Sequence, residues 1–500
     1  GGITYSKTCE QTLLYNHTKA CLHDKPFFFN NLAMRIHRLK TDYQKLLADT
    51  LTPVSVYLKI RDRFAQSILL ESSDYHANDN SFSYICCQPI AWIKIEGDQV
   101  EERFPDGSSQ NYVLESKKSV PDIIARFSTS FAVDGPAFKF INHGLFGYMA
   151  YDSVRYFEDI TIEKKEAETT IPEVYYAVYQ NIIAINHFNN EAYLFCHHTE
   201  DQKSNLAELA GWIQVPSFPS YPFKLVGDQK TNVADQDFKS MVSLAKTHCQ
   251  RGDVFQLVLS RRFEQPFQGD EFNVYRALRT INPSPYLFYF DYGNFKLLGS
   301  SPEAQLVVKN DLCEIHPIAG TFRRTGNDEQ DAELAKKLSE DAKENAEHVM
   351  LVDLARNDLS RHGRIVQVET YKEVQFFSHV IHLVSKVTGR KKPEVPTMNV
   401  VADTFPAGTL SGAPKHKAME LIERYEPTPR GYYGGAIGFM DFSGNFNHAI
   451  MIRTFLSKNQ TLYFQAGAGV VAASSAEAEN QETYNKLGAL QKALIMAEGL

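Results

Sequence analysis

Five hundred residues with 43% apolar side chains are enough chain for about two domains, or one large composite unit, around a sizeable core. A net charge of −8, from 60 acidic and 52 basic residues, argues against nucleic-acid binding, which needs a basic face, and leaves no polybasic membrane patch. The seven cysteines (Cys9, Cys21, Cys86, Cys87, Cys196, Cys249, Cys313) show no CxxC or metal spacing, no apolar run approaches the roughly 18 residues of a membrane span, and no signal peptide opens the chain; reduced thiols in a cytoplasmic protein are expected.

In chain order, the first stretches that read as strands are 54–60, 67–72 and 176–185, from their β-branched and apolar content. The proline- and aromatic-rich run Val215-Pro216-Ser217-Phe218-Pro219-Ser220-Tyr221-Pro222-Phe223 breaks any regular element. It marks the connection between two regions, 1–226 and 227–500. No short-period repeat is present.

The second region opens with a helix predicted over 235–251, ending before Gly252. Strands are expected at 254–263, 286–290, 304–309 and 311–317. One long helix over 331–358 follows, apolar almost all round in its last turns and therefore buried there. The loop Gly408-Thr409-Leu410-Ser411-Gly412 lacks the GxxxxGK[ST] spacing of a nucleotide phosphate loop; it runs into Pro414, a good first helical position. Strands at 434–440 and 448–455 flank the turn Asp441-Phe442-Ser443-Gly444-Asn445, which is hairpin grammar. An apolar strand at 462–471 carries Gly467 and Gly469, where backbone amides can approach a ligand. The last helix starts from a capping box, Ser474 with Glu477, and has a core stripe of Tyr484, Leu487, Leu490, Leu494 and Ala497. The fold expected is α+β: large, mostly antiparallel sheets in an α/β sandwich, with helices packed outside.

Two helices carry acidic residues three apart, Glu344 with Glu347 and Glu479 with Glu482. Residues at that spacing are neighbours on a helix surface. Acidic residues on helices are ordinarily solvated, and one pair alone would be read that way. Two pairs facing one cavity have the donor chemistry for a hard divalent cation, Mg2+.

Together these segments and Asp403-Thr404-Phe405-Pro406-Ala407-Gly408-Thr409, with Tyr432-Tyr433-Gly434-Gly435, resemble the chorismate-utilising enzymes, most closely the large subunits of anthranilate synthases. The resemblance covers about 235–497 in detail and the N-terminal region more loosely. It implies an α/β sandwich that binds chorismate, with Mg2+ held by Glu344, Glu347, Glu479 and Glu482 against the ring carboxylate. It implies that Tyr433 and Arg453 hold the enolpyruvyl carboxylate, a task suited to a planar guanidinium fork, with the Gly467 and Gly469 amides beside it. Gly320 and Thr321 would line the same site. His382 would act near the departing ring hydroxyl, Glu303 would protonate that hydroxyl or position His382, and Thr409 would hydrogen-bond the substrate.

Two positions distinguish sister activities. Relatives that add water to chorismate place a lysine where this chain has Gln256, and glutamine cannot serve as that base, so ammonia is the expected nucleophile. Relatives making 4-amino-4-deoxychorismate for folate carry a lysine where this chain has Ala319, which leaves that activity as the alternative. No cysteine sits in a Gly-x-Cys-x-Gly turn, so a separate glutamine amidotransferase subunit should supply ammonia in a hetero-oligomer. Finally, the resemblance implies feedback inhibition by tryptophan, held by Leu70, Glu71, Ser72, Pro285, Tyr286 and Leu287 with Ile437 and Phe439 as walls. The stretch 74–80 lacks a basic residue that some relatives place there.

Overall fold

Two long strands buried along most of their length, Phe82–Glu96 and Val174–Asn186, form one antiparallel pair that seeds two sheets. Gln88 takes a left-handed conformation (φ 58°) and the register shifts between Pro89 and Ala91. A bulge of this kind bends a strand and sharpens its twist, so each half of the pair meets different neighbours. Beyond Ile68–Ser72, the first sheet continues through Tyr286–Asp291, Phe295–Ser301, Thr454–Lys458 and Thr461–Val470 to Gln256–Gly269. The second runs through Leu145–Met149, Ala436–Met440, Phe446–Ile450, Ala304–Lys309 and Leu312–Ile315 to Val380–Lys391, which also pairs with Ile318–Arg323 and Gly363–Phe376. Among the described residues the one parallel pairing is His37–Leu47 with Phe131–Asp134.

This computed structural model describes residues 35–72, 81–163, 167–377 and 379–500; Cys9, Cys21 and the 74–80 stretch lie outside the described residues. Between the sheets packs a core of Ile68, Leu70, Phe288, Phe146, Tyr148, Ile437 and their neighbours. Pro53–Ile60, Leu206–Ile213, Phe272–Ile281 and Ala476–Ala497 cover the outer face of the first sheet. Val120–Thr129, Ala342–Ser360 and Thr397–Thr404 cover the second. The expected sandwich of mostly antiparallel sheets between helices is what forms. Ile36–Leu500 is one compact unit, with strands from either side of Val226 hydrogen-bonded to each other. Among the described residues no helix is long and apolar enough to cross a membrane.

Several local expectations are corrected. Residues 54–60 are helical: Thr52 accepts from the Ser55 amide in a capping box, Pro53 takes the first turn, and Val56, Tyr57 and Ile60 recur at helical spacing onto the core. The long helix is two, Asp328–Glu340 and Ala342–Ser360, because Asp341 is extended (ψ 117°) and its carboxylate caps the second helix at the Glu344 amide. The last helix is capped by Ser475, whose side chain accepts from the Ala478 amide; Ser474 instead accepts from the Val471 amide. Pro414 precedes the helix Lys415–Tyr425 as its N-cap. The stretch 448–455 is two strand ends separated at 451–453, where Arg453 has φ 49°.

Candidate active site

The far edges of the two sheets meet with Ala342–Ser360 and Ala476–Ala497 around a cavity of about 410 Å³. Every residue that the sequence suggested for metal, substrate and catalysis lines it: Gln256, Glu303, Ala319, Gly320, Thr321, Glu344, Glu347, His382, Thr409, Tyr433, Arg453, Gly467, Gly469, Glu479 and Glu482.

One wall is the ribbon Gln256–Gly269 with Thr461–Val470, in which Val258 faces Gly469 and Ser260 faces Gly467. A Cβ on Gly469 would stand 2.4 Å from Gln256 Nε2, so any larger residue would push that side chain out of its present position. Gln256 Nε2 donates to Glu347 Oε1 at 2.8 Å, and its own Oε1 is buried without a partner among the described residues. Gly467 lies close to Tyr433, its hypothetical Cβ 3.0 Å from the phenol oxygen. Behind the ribbon, buried Arg430 grips Glu426 at 2.8 Å and the Leu410 and Val258 carbonyls, tying three wall segments together.

The opposite wall is Ile318–Arg323 against Val380–Lys391. A register shift between Ala319 and Thr321, with Gly320 at φ 69°, turns the Gly320 carbonyl toward His382. His382 Nδ1 stands 3.1 Å from that carbonyl and 3.1 Å from Thr321 Oγ1. The carbonyl only accepts, so the proton is assigned to Nδ1, and Nε2 is left as an acceptor. Burial holds the imidazole down at about 4, against the Gly320 bond and with help from the Arg453 charge, so His382 is neutral near pH 7.

Glu303 shows the opposite displacement. Burial raises its carboxyl to about 8, although the Thr409 hydroxyl at 3.3 Å and the Arg453 charge oppose this. A neutral carboxylic acid therefore sits in the cavity wall at neutral pH. The Arg453 guanidinium, on its left-handed residue, has no hydrogen-bond or ion-pair partner among the described residues, and burial lowers its pKa. Arg453 is half-buried, and a partly desolvated cation without a partner is favoured when a ligand supplies the anion.

Glu344 and Glu347 project from the first turns of Ala342–Ser360, and Glu479 and Glu482 from those of Ala476–Ala497. The Glu344 carboxyl is raised by burial and then by the charge of Glu347 and, more weakly, Glu482, as expected of acidic groups crowded on one cavity. Lys343 Nζ lies 4.0 Å from Glu479, and Lys486 Nζ lies 3.6 Å from Glu482 while donating to the Gly467 carbonyl at 2.8 Å. Among the described residues no three His, Cys, Asp or Glu side chains stand gathered closely enough to hold an ion. The chemistry of the donor set itself, four carboxylates lining one cavity, fits a hard cation. Sequence reasoning missed Lys343, Lys486 and Gln465 as lining residues; the signal for Lys486 was its i,i+4 spacing from Glu482.

Away from this cavity, Leu70, Tyr286, Ile437 and Phe439 converge in the core between the sheets, and Ser72 pairs with Tyr286. Pro285 precedes that strand and is half-buried. Strand alternation sends Glu71 and Leu287 to the other face. There Leu287 joins the core under Phe272–Ile281, and Glu71 is bound by Arg279 at 2.8 Å and by the Tyr275 hydroxyl.

Comparison with known proteins agrees with this geometry. The sequence pattern of the family described as chorismate binding enzyme matches residues 80–492. The chain is 35% identical to anthranilate synthase component 1 of Aquifex aeolicus, covering 91% of this chain and 94% of that protein. It is 36% identical to the component of the same name from Bacillus subtilis, covering 90% and 91%. Among solved structures, anthranilate synthase component I from Streptococcus pneumoniae superposes with a TM-score of 0.73 at 32% identity, over 89% of this chain and 98% of that one. The menaquinone-specific isochorismate synthase MenF of Escherichia coli shares the fold at 17% identity and a TM-score of 0.69, over 91% and 94%.

Proposed function

The chain belongs to the chorismate binding enzyme family and is a chorismate-utilising enzyme, and on that premise we propose that it is the large component of an anthranilate synthase, converting chorismate and ammonia to anthranilate and pyruvate in the cytoplasm. The observation that carries this reading is one cavity lined by four carboxylates, a neutral buried acid, an unpaired half-buried arginine and Gln256 in place of a base.

Glu344, Glu347, Glu479 and Glu482 are the residues that would hold Mg2+. Bound there, the ion supplies the positive charge that lets an acidic wall accept the ring carboxylate and polarises the ring. Arg453 and Tyr433, with the Gly467 amide, take the enolpyruvyl carboxylate, which gives the half-buried guanidinium an anion. Glu303 donates its proton to the C4 hydroxyl, which leaves as water while the C–N bond forms at C2. His382, neutral and fixed by Gly320, offers an acceptor at Nε2. Loss of the C2 proton and cleavage of the enolpyruvyl C–O bond then release pyruvate and leave the aromatic amine. Ammonia attacks with its own lone pair, whereas water would need a base that Gln256 does not provide. Ala319 keeps the ring's surroundings free of a covalent nucleophile, which favours this reading over aminodeoxychorismate formation.

Two further parts of the proposal rest on the sequence. A separate glutamine amidotransferase subunit supplies ammonia in a hetero-oligomer, and tryptophan inhibits by binding between the sheets near Leu70, Ser72, Ile437 and Phe439. The catalytic reading is tested by giving the purified chain chorismate and an ammonium salt with Mg2+ or with EDTA. Product formation that EDTA stops and Mg2+ restores supports it; turnover indifferent to EDTA contradicts it.

A further inference from the structure

Behind the wall that Glu303 and Thr409 give the main cavity lies a second, small one of about 30 Å³, lined also by Gln305, Ala355, Asp358 and Thr404. Space of this size suits one water, and a water stays where a few polar groups meet it.

Gln305 is 3% exposed, and its amide orientation follows from its neighbour. The Thr404 hydroxyl donates to the Val400 and Val401 carbonyls at 3.0 and 3.2 Å. Toward Gln305 it can therefore only accept, and Gln305 Nε2 donates to it at 3.1 Å. Gln305 Oε1 is left buried with no partner among the described residues. Orphaned buried acceptors are rare in folded proteins and ask for a partner. Glu303 is unfinished in a second way: Thr409 Oγ1 is 3.3 Å from both of its oxygens, so this contact does not distinguish them. Of the charged groups around it, Arg453 faces it on the main-cavity side, and Asp358, paired with Lys415 at 2.6 Å, lines the small cavity.

We propose that the small cavity holds one ordered water that donates to Gln305 Oε1 and to the near oxygen of Glu303, making Gln305 a positioning residue for that acid. The water marks one carboxyl oxygen as an acceptor, so the transferable proton sits on the other, toward the main cavity. This rests on the role of Glu303 proposed above.

The first test is a crystal structure of the full chain at a resolution that shows waters. One water within hydrogen-bond reach of Gln305 Oε1 and Glu303 is expected; a dry cavity overturns the proposal. Gln305→Met keeps the size and removes the acceptor. It should lower kcat by roughly ten- to a hundredfold, the cost of a misplaced catalytic group, with chorismate KM unchanged. The carboxylic C=O infrared band of Glu303, identified by its loss in Glu303→Gln, should move to higher wavenumber. An unmoved band would leave Gln305 a packing residue and end the proposal. If Gln305→Met does not fold, Ala355→Val fills the small cavity without touching Gln305 and must move the same band. Should the wild type form no anthranilate while the water and the band behave as described, the functional reading falls and the water site stands.

Discussion

Glu303 is the residue whose chemistry depends most on its surroundings, and its titration has two consequences of known sign. The folded protein keeps a proton on this carboxyl up to about pH 8, whereas the unfolded chain releases it near 4.5. The stability of the neutral buried form is complete below 4.5 and is lost as pH rises through about 8. Glu303→Gln cannot ionise, so its stability relative to wild type should rise across that window by an amount on the order of a few kcal/mol. Urea unfolding at both ends of the window measures this; a constant difference would contradict it. Turnover should fall above about pH 8 as the acid is lost, while His382 stays neutral until about pH 4. For the carboxylate wall, Glu347→Gln or Glu482→Gln should abolish turnover with the circular dichroism spectrum unchanged, and near-wild-type rates would remove the metal from the account.

At the scale of the element, the start of Ala342–Ser360 matters most, because its first two turns both begin the helix and present Glu344 and Glu347. Asp341→Ala removes the cap on the Glu344 amide and should cost about 1 kcal/mol of stability. If the cap also orients the acidic pair, the Mg2+ concentration for half-maximal rate should rise several-fold in the same variant; a lower melting temperature with an unchanged Mg2+ requirement would limit it to stability. This element also shows what sequence could and could not reveal. The acidic spacing was legible, since i,i+3 neighbours follow from helix geometry alone. The break at Asp341 was not, because the capping role depends on a backbone turn away from the helix that no periodicity records. Residues 54–60 were misread for a related reason: seven residues with Val54, Val56 and Ile60 among them fit a strand until the Thr52 cap and the covering of the sheet are seen. The left-handed Arg453 was equally hidden, because apolar residues run through it on both sides.

Across the whole molecule, the sandwich arrangement was legible from β-branched and apolar strand segments, one hairpin turn and the family resemblance, and the active cavity from motifs scattered over more than two hundred residues. What sequence could not supply is which sheet face each side chain occupies. Leu70 and Glu71 are adjacent in the chain yet lie on opposite sides of the first sheet, one in the inter-sheet core and one against Tyr275 and Arg279. That division sharpens the regulatory prediction. Calorimetry should detect tryptophan binding that Ser72→Phe removes without loss of ammonia-dependent activity, and Glu71 should act through Arg279 rather than by touching the indole. No binding at millimolar tryptophan would remove regulation from the account. The isolated chain should also fail with glutamine as its nitrogen source, and glutamine-dependent synthesis by it alone would contradict the need for a second subunit.

The proposed reaction joins ammonia to chorismate in this cavity and then expels pyruvate. Product stoichiometry with the isolated chain, Mg2+, chorismate and ammonium salt tests it most directly. Blue-fluorescent anthranilate and pyruvate are expected in equal amounts. Aminodeoxychorismate accumulating without pyruvate would contradict it and select the folate reaction instead.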